Sequence, residues 1–390
     1  MTESVNPIDL RRLRAAVPPA IFDLPRFRTL GRALLLIAVL AGALVVGTAS
    51  GSVILRVLIG VAMGPFLFAL ASTGHESGHG TASRHRLIND LTGLLSMSII
   101  GFPARGWKLK HDIHHKYGGV QGLDTDSEPG LENYLRRGWF ARTFIRTFNE
   151  HEWLFWWLSP LSLCVTTWRF AIINLASKRM RRGSQNAWVV ADMATAVAFF
   201  TACGLYTVSF GGLNLLLLVL LPFAISGIVA AIAFVPNHRG MPPLTNEQGR
   251  RASRYSHVNS RTVLYPSYLP GNYFMNYVPW QTEHHVFPTI PGHRLKEFSP
   301  HLQAYAKEEG LKLEIDTIFS VMPHMLRRQW LWGHGDGRQY TYAEAEAIRR
   351  ERIRARRSIS ASGGADHGAE ASRSGSSATS GSSMPAATAR

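Results

Sequence analysis

Cysteine is nearly missing from this sequence. Its two residues, Cys164 and Cys203, each sit inside an apolar stretch, with no spacing that could hold a metal or build a disulfide framework. Chemistry through sulfur is thereby excluded. Charge is also scarce, at 17% of 390 residues, less than a soluble chain of this size usually carries. Acidic residues are the scarcer half, 26 against 42 Lys and Arg, and the formal net charge is +16. Such an excess implies contact with something acidic: nucleic acid, anionic lipid or an acidic protein. What the chain has instead is 46% hydrophobic residues, 10 tryptophans and 16 unevenly distributed histidines.

Four segments are long and apolar enough to cross a bilayer, which takes roughly 20 residues. They are residues 33–49, 52–72, 186–209 and 213–235, arranged as two hairpins with very short links. Neither link carries Lys or Arg, whereas the N-terminal region (Arg11, Arg12, Arg14, Arg26, Arg28, Arg32), the long central stretch and the C-terminal region are rich in them. The positive-inside rule places both termini and the central loop in the cytoplasm. The predicted fold is therefore an all-α integral membrane protein: four transmembrane helices in two hairpins, with a cytoplasmic helical cap carrying the histidine clusters. The positive charge then belongs to the cytoplasmic face, and nucleic acid is not an expected partner. Residues 91–104 are too short to span and read as a re-entrant or interfacial piece. Residues 153–176 contain Pro160, Arg169 and four tryptophans, and read as lying in the membrane surface. The run before the first span is too long for a signal-peptide n-region, so no cleavage is expected. The expected organisation is a cytoplasmic N-terminal segment (1–32), a membrane domain (33–342), a basic helix (343–357) and a disordered Ser/Gly/Ala tail (358–390).

Three histidine clusters carry the chemistry. His75-Glu-Ser-Gly-His79 follows the second span, and residues four apart share a helix face. His111-Asp-Ile-His114-His115 lies in the central loop, and Gln281-Thr-Glu-His284-His285 lies beyond the fourth span. His238, directly after Asn237, ends that span. With four crossings all eight fall on one membrane face, near span ends. Eight neutral imidazoles exceed the four ligands of a zinc ion and suit two ions with open positions. Ligand type alone leaves Zn, Cu, Fe and Ni open. The setting, a membrane site facing lipid, favours iron with oxygen. Histidine ligands also need acceptors that fix their tautomers, and Glu76, Asp112, Asp124, Asp126, Glu283 and Asn237 are placed to serve. The other eight histidines, His85, His151, His257, His293, His301, His324, His334 and His367, read as surface or satisfied polar residues.

These residues resemble the three histidine boxes of the membrane fatty acid desaturases, here HESGH, HDIHH and QTEHH. HDIHHKYGGVQGLDTD is similar to the family's second box with its acidic loop, FVPNHRGMP to the segment after the fourth span, and QTEHHVFPTIP to the third box. The resemblance covers residues 26–312. It implies that His75, His79, His111, His114, His115, His238, His284 and His285 bind two Fe ions, and that Asn237 holds a metal-bound water. It implies no catalytic residue beyond the metal centre. Gln281 stands where many third boxes begin with His, as in the acyl-lipid "front-end" branch. That branch often carries a fused cytochrome b5 domain with a His-Pro-Gly-Gly motif. The motif does not occur here, so electrons are expected from a separate ferredoxin or cytochrome b5-type donor. The expected reaction is O2-dependent desaturation of a fatty acyl chain, on an acyl lipid or an acyl thioester. A related di-iron hydroxylase or ketolase would use the same ligands. A membrane zinc protease is the remaining alternative, because HESGH also fits His-Glu-x-x-His with Glu76 as general base. It would need a further ligand such as Asp192, and it leaves two clusters unexplained.

Overall fold

The computed structural model describes residues 6–126, 130–176, 185–266, 271–325, 331–333 and 338–363. The chain forms two compact units, Met1–Thr341 and Tyr342–Arg390. In the first, α1 (Leu10–Ala16) precedes two long apolar helices, α2 (Arg28–Ala49) and α3 (Val53–His79). Asp9 caps α1 and Ser52 caps α3, each accepting free backbone N–H groups of the first turn. The chain then enters α4 (Arg86–Ser96), passes a 3₁₀ turn at Ser98–Ile100 and swings by 105° into α5 (Ala104–Tyr117). The segment read as re-entrant from its length lies in this bend.

The bend is held by one buried acid. Asp192, fully buried, accepts from Ser98 Oγ (3.0 Å), from the Arg105 backbone N–H (3.0 Å) and from the Arg105 guanidinium (2.8 Å). Arg105 also reaches Asp90 at 2.6 Å. A buried carboxylate survives only with such partners, and these account for Asp192 without a metal.

Next come α6 (Leu131–Arg136), α7 (Trp139–Glu150), α8 (Glu152–Ala176) and α9 (Gln185–Phe210). After Gly211 the chain returns through α10 (Gly212–Leu215), a π-helical turn (Leu216–Leu220) and α11 (Leu221–His238). Helix α8 packs closely on both α5 and α11. A Cβ on Gly106 would lie 2.0 Å from the Thr167 carbonyl, and one on Gly227 would lie 2.4 Å from that of Trp156. Only glycine permits backbones so near.

The remaining helices of this unit are α12 (Asn246–Gly249), α13 (Ser256–Asn259), α14 (Gly271–Phe274), α15 (Gln281–Val286), α16 (Gly292–Glu308) and α17 (Ile318–Met325), of which all but α16 are short. Two small strand pairs interrupt the helical pattern. β1 (Arg261–Leu264) runs parallel to β2 (Glu314–Thr317), and β3 (Leu331–Trp332) antiparallel to β4 (Gln339–Tyr340). The N-terminal residues Ile8, Leu13, Val17 and Ile21 share a core with Val286, Phe287, Leu295, Phe298 and Leu302. The N-terminal segment therefore backs the third histidine cluster.

Among the described residues, five helices are long and apolar enough to cross a membrane: Arg28–Ala49, Val53–His79, Trp156–Ala176, Asn186–Phe210 and Gly212–His238. Four match the expected spans. The fifth is the segment read as lying in the surface, whose Pro160 does not break the helix. Large apolar side chains such as Val45, Ile54, Leu161, Leu205 and Val208 face outward on these helices, as hydrocarbon surroundings require. The second unit contains α18 (Tyr342–Gly363), which continues past residue 357, where the basic helix was expected to end. Residues 364–390, most of the tail expected to be disordered, lie outside the described residues, as do His334 and His367.

Candidate metal centre

The eight histidines sit at helix ends that meet at one place. His75 and His79 occupy the last turn of α3, His238 ends α11, His111, His114 and His115 lie along α5, and His284 and His285 lie on α15. Their ring nitrogens form two groups: His75, His79, His111, His115 and His284, and His114, His238 and His285. Within each, one ligand atom per residue lies within 4.8 Å of all the others. Helix geometry explains the division. Neighbours on a helix point about 100° apart, while residues four apart nearly coincide. His111 and His115 therefore serve one group and His114 the other, and His284 and His285 separate in the same way.

In the group of five, Nε2 atoms converge. His79 and His111 approach to 3.0 Å, His111 and His115 to 3.0 Å, and His115 and His284 to 3.1 Å. The His75 ring lies 4.6 Å from that of His284. Trp107 stacks on His111 at 4.4 Å between ring centroids. In the group of three, the ring centroids are 4.9–5.2 Å apart. The groups adjoin, since His115 and His285 stack at 4.5 Å. Burial, and then neighbouring histidines, push the imidazoles of His284 and His285 well below their ordinary pKa. They are therefore neutral, with lone pairs free. Each neutral imidazole keeps one lone pair, and several such rings converging on one point are what a cation takes as ligands, so the donor set fits metal ions. Its ligand atoms include no carboxylate.

The surroundings of the groups differ. His114 Nδ1 meets Asp124 Oδ1 at 2.8 Å, and His238 Nδ1 donates to the Asn259 carbonyl at 2.9 Å. A carbonyl only accepts, so the His238 Nε2 lone pair must face inward. Asp124 also accepts the backbone N–H groups of Gly119 and Asp126. Burial pushes its carboxyl up, but His114 and these donors outweigh that and hold it below the ordinary range. Gln281 Nε2 lies 2.8 Å from His285 Nε2 and 3.1 Å from His238 Nε2. Asn237, fully buried, donates to the Ala233 carbonyl at 2.9 Å, and its Oδ1 has no partner. Among the described residues, no ring of the group of five has such an Nδ1 partner.

Four of the carboxylates singled out from sequence are not beside an imidazole. Asp112 lies on the exposed side of α5, paired with Lys108 at 2.7 Å, because helix rotation turns it away from its histidine neighbours. Asp126 pairs with Lys110. Glu283, buried, accepts from Ser299 Oγ and Thr262 Oγ1; burial raises its pKa against the opposing effect of those donors. Glu76 accepts from Thr29 Oγ1 and Asn276 Nδ2, each at 3.1 Å. A carboxylate engaged in this way is a poor general base, and its two histidines join three more. The zinc-protease reading loses its support.

Trp107, Asn259 and Asn276 were not evident from sequence. Asn276 and Tyr277 have positive φ, 48° and 60°, a region that non-glycine residues seldom adopt and Asn tolerates best. The Asn276 carboxamide ties this strap, which leads into the third cluster, to Glu76, to the Ser72 carbonyl and to Arg32. A cavity of about 560 Å³ opens beside His79, walled by Gly74, Gly78, Gly93 and Ala104, with Arg84 and Lys108 among its charged residues.

Comparison with known proteins gives a match to a family described as fatty acid desaturase over residues 51–315, about two thirds of the chain. The chain is 23% identical over 273 residues to an acyl-lipid (9-3)-desaturase of Physcomitrium patens, covering 63% of this chain and 47% of the relative. It is 28% identical over 139 residues to an sn-1 acyl-lipid omega-3 desaturase (ferredoxin) of Synechocystis sp., covering 35% and 38%. It is 22% identical over 269 residues to an sn-1 linoleoyl-lipid 6-desaturase of Arthrospira platensis, covering 63% and 68%. The chain thus spans less than half the length of the first two.

Proposed function

The chain belongs to the fatty acid desaturase family, and we propose that it desaturates a fatty acyl chain using two iron ions held by its histidines. The balanced reaction takes two hydrogens from adjacent methylenes, one O2, two electrons and two protons, and yields an alkene and two waters. Convergence of eight imidazoles from sequence-distant helix ends is the observation that carries this reading.

In this reading His75, His79, His111, His115 and His284 hold one ion. His114, His238 and His285 hold the other, with Gln281 beside them. Asn237 Oδ1, buried without a partner, would accept a hydrogen bond from a water on that ion. Bound iron would supply the capacity to activate O2 and remove hydrogen from an unactivated methylene. The protein's own part is to aim neutral Nε2 atoms inward, to fix His114 through Asp124 and His238 through Asn259, and to exclude water. Small differences in where the chain is held then choose the carbon, since a displacement of about 1 Å can change a rate 100-fold.

The proposed topology has four crossings, α2, α3, α9 and α10–α11, with the histidines and both termini cytoplasmic. An odd number of crossings between His114 and His238 would separate their rings by a membrane. The meeting of those rings supports an even number, and the tight Gly211 turn makes α9 and α11 the pair that crosses. Helix α8 is then embedded without crossing. Residues 33–342 constitute the membrane domain, 1–32 a cytoplasmic segment, 343–357 a basic helix and 358–390 a tail.

The substrate class follows the relatives, whose names specify acyl lipids. A ferredoxin or a cytochrome b5-type protein supplies the electrons, and the ferredoxin named for one relative favours the former. The test is fatty-acid analysis by gas chromatography and mass spectrometry of a bacterial host expressing the chain with a ferredoxin, against a His114→Ala/His284→Ala control. A new unsaturated acid in the wild type alone supports the reading. A hydroxylated acid moves it to a hydroxylase, and purified protein holding a single zinc overturns the di-iron centre.

A further inference from the structure

Helix α7 is turned inside out for a helix in water. Its buried residue is Arg142, 5% exposed, whose guanidinium donates to the Arg137 carbonyl. Trp139 is 72% exposed, Phe140 75% and Phe144 50%. At 100° per residue, Trp139, Thr143, Thr147, Phe140 and Phe144 cover one arc of about 140°, with Arg146 at its edge. A water-facing helix does the reverse, because leaving a large apolar side chain exposed forgoes roughly 1.5–3 kcal/mol each. The outward medium for this face is therefore not bulk water.

It is not the hydrocarbon core either. Twelve residues make a helix of about 18 Å, too short to span. Its exposed arc also holds two threonines and Glu150, whose carboxylate pairs with Arg146 at 3.4 Å. Tryptophan beside cations is the composition of the headgroup layer. Only His151 separates α7 from α8, whose exposed Leu158, Leu161 and Val165 continue the apolar surface.

We propose that α7 lies in the plane of the membrane surface, with Trp139, Phe140 and Phe144 inserted among lipid headgroups and Arg146 at the level of their phosphates. The partner is the lipid layer itself. Because α7 joins α8, and α8 packs on α5, this anchor sets the depth of the helix that carries the second histidine cluster. The proposal does not depend on which reaction the metal centre performs.

The test places an environment-sensitive fluorophore at Phe140→Cys in a chain carrying Cys164→Ser and Cys203→Ser, reconstituted in nanodiscs containing anionic lipid. A quencher near the headgroups should act roughly twofold more strongly than one deep in the acyl chains, matching insertion of about 5–10 Å. Aqueous iodide should quench only weakly. Strong iodide quenching, or a deep quencher acting best, overturns the proposal. A photo-crosslinker at position 140 of the otherwise native chain gives a second measurement that does not depend on the cysteine changes. Lipid adducts support the proposal, whereas protein adducts, or none at all, overturn it.

Discussion

The group of five rings and the group of three draw on the same two helices, α5 and α15, and each adjacent His–His pair gives one ring to each group. They differ in how the rings are aimed. In the group of three, Asp124 and the Asn259 carbonyl fix two of the rings and Gln281 reaches two. In the group of five, Trp107 stacking and the crowding of the rings themselves do that work. Few ligands that are well oriented can equal many that are loosely oriented, but the two designs should fail differently.

The largest expected effect removes a ligand outright. His285→Ala leaves two histidines and should empty its site, giving about one iron per chain and a loss of product exceeding about 100-fold. His75→Ala leaves four and should keep most of its iron. Metal analysis of both purified variants decides the matter. Equal iron loss would break the comparison. Next in size, Asp124→Asn should cost about 10–100-fold in metal affinity, confined to the group of three. A chelator titration of the variant should release one ion early and the other as in the wild type.

Much of this was legible in the sequence, and the reason is helical period. His75 and His79 at i, i+4 announce a shared face, and charge distribution put the clusters near span ends. The division into five and three follows from the same period, since adjacent histidines on one helix cannot point together. Outer partners were harder. Asp112 is next to a ligand in sequence and faces away, whereas the Asn259 carbonyl is a backbone atom in a short loop helix that no side-chain pattern reveals. Helix α8 was harder to read, because its Trp and Pro residues are shared by crossing and interfacial segments, while the close approaches at Gly106 and Gly227 depend on tertiary packing. The outward aromatics of α7 have ordinary helical spacing, and only the structure shows which side is out.

A smaller effect tests the strap over the group of five. Asn276→Ala loses the hydrogen bonds to Glu76 and Ser72 and must hold a left-handed conformation without Asn's tolerance, about 1–3 kcal/mol in all. Asn276→Gly loses the same bonds without the backbone penalty. If the carboxamide positions the third cluster, both variants should lower activity about tenfold and weaken the ion of the five-ring group. If only backbone strain matters, the glycine variant should behave as wild type.

The smallest effect separates the clustered rings from a buried one outside them. Burial pushes His257 down to about 4, and neither of its nitrogens has a partner. His284 and His285 are lowered by burial and by their neighbours. A base whose folded pKa is depressed leaves the unfolded state holding more protons below its ordinary value of 6.5. Metal-free protein should therefore lose stability as the pH falls through about 6.5, and go on losing it toward the folded values. Thermal unfolding at pH 7.5 and 5.5 measures the slope. His257→Phe should remove its own share and leave the clustered share. An unchanged slope in that variant would mean that His257 contributes nothing to the acid response.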